Sequence, residues 1–387
     1  MTTVRRIATH LEMLGVRVKV VTTQPMSEDA KQQAVDFRPD IVHAFHAFKA
    51  GVAALELAQK ISAPLVVTIT GTDVHTDLHH PERREFVLRV LKMATAITTF
   101  APTIADEISV IDNSLVTKIH IIPQGIWFPP QETWDVRGHL GIPNNIPLIL
   151  LPANIRKVKR PMLALEGVRL LRERGFDVHL LFVGEILEAD EWERLKAAIE
   201  NCQWTHYFCP IPMERMASAY LASDIVLNTS EHEGGMANAL LEAMWLKRPV
   251  LASAVAGNLS LVRDEETGLL FNDVKDLAEQ AKRLLTDTSL RERLVQKAHE
   301  QVRQNCDPNK EAQNYLQVYH AQISHHKFNV PTLYNGSMRQ HFHGTKTCNR
   351  LKSGERFSDN EYSEVEQDNE RTDNYADGKN GRNDASP

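Results

Sequence analysis

Cysteine is scarce in this chain and follows no pattern. The 387 residues hold 4 cysteines, Cys202, Cys209, Cys306 and Cys348, with no CxxC spacing. That argues against a disulfide-stapled secreted scaffold and against a cysteine-built zinc module, and it suits reduced thiols in a cytoplasmic protein. Long apolar runs are missing too. No stretch approaches the ~18 apolar residues of a membrane-spanning helix, and the opening MTTVRRIATH lacks the apolar core of a secretory leader. The expectation is a protein without a transmembrane segment, with peripheral contact at a membrane surface left open. A basic excess is also absent: 44 Lys and Arg stand against 50 Asp and Glu, a formal net charge of -6, so the overall charge does not point to nucleic acid as a partner. No strained serine elbow, Cys/His pair or Walker loop occurs.

What the chain does have is size and alternation. A 42% hydrophobic content over 387 residues suffices for two ordinary domains and an appendage. Val4, Ile7, Ala8, Leu11 and Leu14 form a helical stripe closed by Gly15, and VRVKVV follows as a strand. DIVHAF, PLVVTIT, AITTF and KIHII repeat the strand pattern with helices between them, one from about Gly51 and one through Val87 and Leu91. The breaker-rich WFPPQETWDVRGHLGIPNNIP then reads as a link. A second series, LILLPA, DVHLLFVG, THYFC, DIVLNTS and PVLAS, alternates with helices from Pro161 and through Trp192 and Leu195. Such alternation predicts an α/β protein with two parallel, doubly wound, Rossmann-like sheets and a cleft between them.

These signals place a first domain at 1–146, a second at 147–308, a final helix at 309–325 and a tail at 326–387. The tail is polar, rich in Asn, Asp, Ser and Gly and almost devoid of aliphatic residues. It cannot offset its ordering entropy, so it is expected to be disordered.

The most informative stretch is TSEHEGGMANALLEAMWLKRPVLASAVAGNLSLV, residues 229–262. DIVLNTS ahead of it reads as a buried strand, and a glycine-rich turn leads into a helix with Ala239, Leu240, Ala243 and Met244 at helical spacing. In open α/β sheets ligands bind beyond the carboxyl ends of strands. Gly234 and Gly235 strip side chains from a helix start whose N–H groups suit a phosphate. Glu233 and Glu242 flank that start. Taken singly, either carboxylate could merely complement the helix dipole or sit in solvent.

Two other loops follow strands. PANIRKVKRP puts Arg156 and Lys159 on a strand-to-helix turn, where cations oppose the helix dipole and an ordinary basic helix start is the plainer alternative. ITGTDVHTDLHH carries Gly71, Thr72 and Asp73, and DIVHAFHAFKAG carries His43 and His46. Buried, hydrogen-bonded histidines are the plainer reading of the latter pair. His75, His79, His80 and Asp77 have a spacing that invites a metal, but a polar helix start explains them equally, and no metal site is expected.

Together these motifs resemble family 4 of the retaining nucleotide-sugar glycosyltransferases, which have the two-domain GT-B fold. The similarity covers about Ile41 to Val302, and the texture of GTDV, PQGI, IRKVKRP, GGMANALLEAM, AGN and TGLLF narrows it to one subgroup. It implies transfer of a hexosyl unit from a nucleoside diphosphate sugar, without a cofactor or metal, to an acceptor the residues do not disclose. It also implies roles. Glu233 would contact the donor sugar, Lys159 and Arg156 the donor phosphates, and Glu242 the ribose, with Gly234, Gly235, Met236, Ala237 and Asn238 lining the donor site. Gly71, Thr72, Asp73 and His43 would lie on the acceptor side.

The chain departs from the family at several points. Eight residues, GGMANALL, separate the two glutamates, one more than is usual; Thr70 stands where many members have His; and Arg156 precedes Lys159 by three residues rather than five. Members also begin with a strand and a glycine loop ahead of the first helix. Here the chain opens on that helix, so a weakened first domain is expected. A GT-B epimerase or phosphorylase, or a degenerate binding module, are the rival readings.

Overall fold

A computed structural model of the chain describes residues 2–22 and 27–329, with side chains through His326. The tail expected from 326 lies outside the described residues except at its start, where the last helix, Pro308–Asn329, runs on to Asn329.

The first half is built on strands β1 (Val42–Phe45), β2 (Leu65–Thr68), β3 (Ala96–Thr99) and β4 (Ile119–Ile121), all parallel, in the order β1-β2-β3-β4. Sequential parallel strands need crossovers of one hand, which puts the connecting helices on a single face. The packing agrees. Leu65 and Val67 of β2 meet Leu55, Val90, Leu91 and Ile104 from those helices. Val66, pointing the other way by the two-residue period, meets Ile7 and Leu11 of the opening helix Thr2–Met13 and Ala312 and Tyr315 of the closing helix. The second face is thus covered by the two ends of the described chain.

The second half carries β5 (Leu148–Pro152), β6 (His179–Val183), β7 (Thr205–Phe208), β8 (Ile225–Asn228), β9 (Val250–Ser253) and β10 (Leu269–Phe271), parallel, in the order β10-β9-β8-β5-β6-β7. From β5 the chain winds one way to β6 and β7, then returns to β8 and winds the other way. The switch point is therefore the β5/β8 pair, joined at Ile149 with Ile225 and at Leu150 with Val226. Leu148 and Leu150 feed one core and Ile149 and Leu151 the other, as expected of a strand buried on both faces.

Two readings change. VRVKVV forms no ladder: residues 16–22 lack strand structure, and a groove of about 660 Å³ lined by them and by residues 41–45 opens where pairing would occur. Its Val16 and Val18 still pack on the opening-helix core, so the apolar pattern is used without backbone pairing. The link also does more than join. Residues 126–146, counted with the first half from the sequence, contribute Ile126, Val136 and Ile142 to the second half's core. They include a short helix, Val136–Leu140, capped by the Asp135 side chain and ended by Gly141 in the left-handed region.

Tyr315 of the closing helix is fully buried against the first sheet. Tyr315→Ala is expected to cost about 3–5 kcal/mol, as large-to-small aromatic substitutions do in cores. Urea unfolding would check it, and a loss below about 1 kcal/mol would mean the helix is not needed to cover that face.

Candidate active site

The loops that leave β5 and β8 lie side by side at the switch point. After β5, Arg156 opens a single 3₁₀ turn, Lys157–Lys159, and Arg160 follows in the left-handed region at φ 45°. Arg160 is a residue the sequence reading missed. Its Nε donates to the Thr229 carbonyl at 2.7 Å and its guanidinium to the Ser230 carbonyl at 3.1 Å, while the Thr229 hydroxyl donates back to the Lys159 carbonyl at 2.6 Å. These bonds tie the two loops into one unit. Only the three-dimensional adjacency of β5 and β8 could have revealed them.

Within that unit Lys159 and Glu233 form an ion pair, both largely buried. Glu233 also accepts from the Ser230 hydroxyl at 2.6 Å and from the Asn228 amide at 3.0 Å. Burial alone would raise its pKa, but the Lys159 ammonium and these hydrogen bonds outweigh burial and hold the carboxyl below its ordinary value. Glu233 is an anion at neutral pH. Glu242 behaves differently. It lies half-buried one turn into the motif helix Asn238–Trp245 and accepts from the Tyr220 hydroxyl at 2.6 Å. Burial pushes its pKa up to about 7, against the Tyr220 hydrogen bond and the charge of Arg6. Two carboxylates nine positions apart thus differ in how readily they ionise, because one has a cation in contact and the other does not.

The first half closes the cleft from the opposite side. A Cβ on Gly71, at φ 110°, would stand 2.3 Å from Gly234 Cα, and one on Gly234 would stand 2.2 Å from Gly71 Cα. The two halves therefore meet backbone to backbone at a point that only glycine fits. Asp73 is fully buried and accepts from the backbone N–H groups of Ala47, Thr70 and Gly71, so it folds this loop rather than facing the cleft. Thr72 receives a hydrogen bond from His46 at 2.9 Å.

His43 is not at the cleft. It sits within β1 between Tyr319 and Thr68, and burial lowers its pKa to about 3, leaving a neutral core histidine. His46 lies just past the carboxyl end of β1 and does line the cleft, with its backbone in the left-handed region at φ 94°. Its position beyond the strand end, where α/β sites gather, was the available signal. Burial lowers the His46 pKa despite Asp73 and Asp77 nearby. Its Nδ1 accepts from the N–H groups of Phe48 and Lys49, so the proton resides on Nε2, which donates to Thr72.

The resulting cleft holds about 690 Å³ and is lined from both halves, with Arg156, Lys159, Glu233, Glu242 and His46 among its walls. Gly234, Gly235, Met236, Ala237 and Asn238 line it as well. Ala237 caps the motif helix without a side-chain bond, and the start of that helix, Ala237 to Ala239, lines the cleft. The Nε of Arg156 is buried and finds no hydrogen-bond partner among the described residues. An orphaned guanidinium beside a helix start is a place for an anion. No cluster of three or more His, Cys, Asp or Glu able to hold a metal occurs among the described residues, and none of their helices is long and apolar enough to cross a membrane.

Residues 27–125 match the Glycosyl transferase 4-like domain and residues 132–301 match Glycosyl transferases group 1. The chain is a glycosyltransferase of the GT-B fold. Among its relatives, Glycosyltransferase 1 domain-containing protein 1 of Xenopus tropicalis, the subgroup whose motif texture the sequence resembles, is 29% identical over 248 residues. That alignment covers 62% of this chain and 72% of the relative. N-acetyl-alpha-D-glucosaminyl L-malate synthase of Bacillus anthracis is 23% identical, covering 76% and 77%. In fold, the transferase superposes on Anabaena HepE in complex with UDP-glucose with a TM-score of 0.67 at 17% identity, covering 81% of this chain and 88% of that one. Sucrose-phosphate synthase of Thermosynechococcus elongatus gives a TM-score of 0.63 at 22% identity, covering 76% of each.

The charge state of Glu242 is testable on the transferase alone. Between about pH 4.5, where the free side chain ionises, and about 7, the folded state keeps a proton that the unfolded chain has lost. Stability therefore falls as pH rises through that window and levels off above it. Glu242→Gln is expected to remove a fall of ~3 kcal/mol. Urea unfolding of both forms at pH 5 and pH 8 would show it, and parallel pH curves would refute it.

Proposed function

We propose that the transferase moves a hexosyl unit from a nucleoside diphosphate sugar to an acceptor with the anomeric configuration retained. The observation that carries this reading is the convergence of Arg156, Lys159, Glu233 and Glu242 on one cleft at the switch point of the second sheet. The UDP-glucose held by HepE, a protein of the same fold, supports a donor of this class.

In this reading the diphosphate lies over the open N-terminus of the motif helix, with Arg156 and Lys159 neutralising its charge. Glu242 accepts from the ribose hydroxyls, and Glu233 orients the sugar. As the bond from the anomeric carbon to the phosphate oxygen breaks, negative charge grows on the leaving phosphate, and fixed cations stabilise it most in the transition state. The acceptor hydroxyl attacks on the same face, forming the new carbon–oxygen bond and passing its proton to the departing phosphate oxygen. No protein nucleophile takes part. On the acceptor side, Thr70, Thr72 and His46 line the cleft; the neutral His46 presents an N–H already used by Thr72, so it orders that wall rather than moving protons.

Titrating UDP-glucose, GDP-mannose and ADP-glucose into the protein while following its melting is the direct test. A true donor at a hundred times its dissociation constant adds about 2.7 kcal/mol of stability. No shift with any of them would overturn the donor class. With the donor known, the anomeric configuration of the product follows by NMR. Lys159→Ala is expected to lower kcat roughly 100-fold while weakening donor affinity far less, because the charge it meets is largest in the transition state. Equal losses in kcat and affinity would reduce Lys159 to a binding residue.

A further inference from the structure

The opening helix contributes one charged side chain to the interior. Arg6 is 2% exposed and its partner Glu311, on the closing helix, 1%. The contact is a two-pronged fork: Arg6 Nε donates to Glu311 at 2.7 Å and a terminal nitrogen donates to the other carboxylate oxygen at 3.0 Å. The remaining nitrogen donates to the Asn238 side-chain carbonyl at 3.2 Å. Asn238 is the first residue of the motif helix, and its amide donates in turn to the Thr3 hydroxyl at 3.1 Å. Both polar atoms of Asn238 are therefore held by the first half.

A buried ion pair is a poor device for stability, since an apolar pair of similar volume holds as well or better. The two helices also have apolar contacts of their own through Ile7, Leu11, Ala312 and Tyr315. What an apolar pair would lose is direction. Guanidinium geometry fixes three acceptors in one plane, and here those acceptors come from the closing helix and from the helix whose N-terminus opens on the cleft. Asn238 stands one turn before Glu242 on that helix, and the Arg6 charge opposes the burial that neutralises Glu242.

We infer that Arg6, seated on Glu311, is a positioning residue of the first half that sets the N-terminus of the motif helix for the donor nucleotide. The inference rests on the donor reading above. It also reassigns Asn238, read from the family resemblance as a donor contact, to a clamp between the halves.

The test uses the full chain, with UDP as the probe in calorimetry. Arg6→Met combined with Glu311→Met removes both charges together, so the fold is kept; it is expected to leave the melting temperature within a few degrees while weakening UDP binding about tenfold. KM for the donor should rise with kcat at saturation little changed. Arg6→Lys keeps the charge on Glu311 but cannot fork to Asn238, so it should lose a similar factor. Asn238→Ala should weaken UDP binding in the wild type and add nothing further in the charge-free pair. Additive losses, or full affinity in Arg6→Lys, would overturn the positioning role. Failure of the wild type itself to bind UDP would instead overturn the donor reading on which it stands.

Discussion

A parallel sheet must be covered on both faces, and the crossover helices of the first half of this transferase cover only one. Its strands run in simple sequence, so all three crossovers fall on the same side. The other side is closed by the opening helix and by the closing helix, which comes from beyond the second half. That constraint ties the two sheets together. A chain segment that has finished the second domain has to return to the first, and Pro308 lies against Gly125 as it does so.

The site inherits its order from this arrangement. Because the opening helix that covers the first sheet also touches the motif helix through Arg6 and Thr3, the start of the motif helix is held by the first half as well as by its own sheet. Gly71 and Gly234 complete the contact on the far wall, where any side chain would force the halves apart. Between these fixed points the electrostatics divide cleanly. Lys159 keeps Glu233 ionised, whereas Glu242, without a cation in direct contact, sits at the edge of neutrality.

The residues missed and those misplaced share a cause. Arg160 and Arg6 act through backbone carbonyls and a distant amide, partners that no local pattern announces. Asp73 and His43 are polar residues in the right motifs whose side chains turn inward, one to fold its own loop and one to bond Tyr319 across the sheet face. Spacing along the chain gives no sign of which way a side chain faces when its partners are chosen in space.

Much was nonetheless decided by the sequence alone. Strand and helix periodicity specified two parallel sheets, Pro161 and Gly51 marked helix starts that the structure uses, and the glycine turn with its two glutamates marked a segment that lines the cleft. These are local properties, set by side-chain period, fixed φ and the absence of a Cβ. The tertiary structure alone decided that VRVKVV would pack without pairing, that the link would join the second core, and that His46 rather than His43 would reach the cleft. It also decided which of the two carboxylates ionises more readily. Each of these depends on which neighbour arrives through space, and hydrogen-bond geometry and desolvation act over ångströms, whatever the distance along the chain.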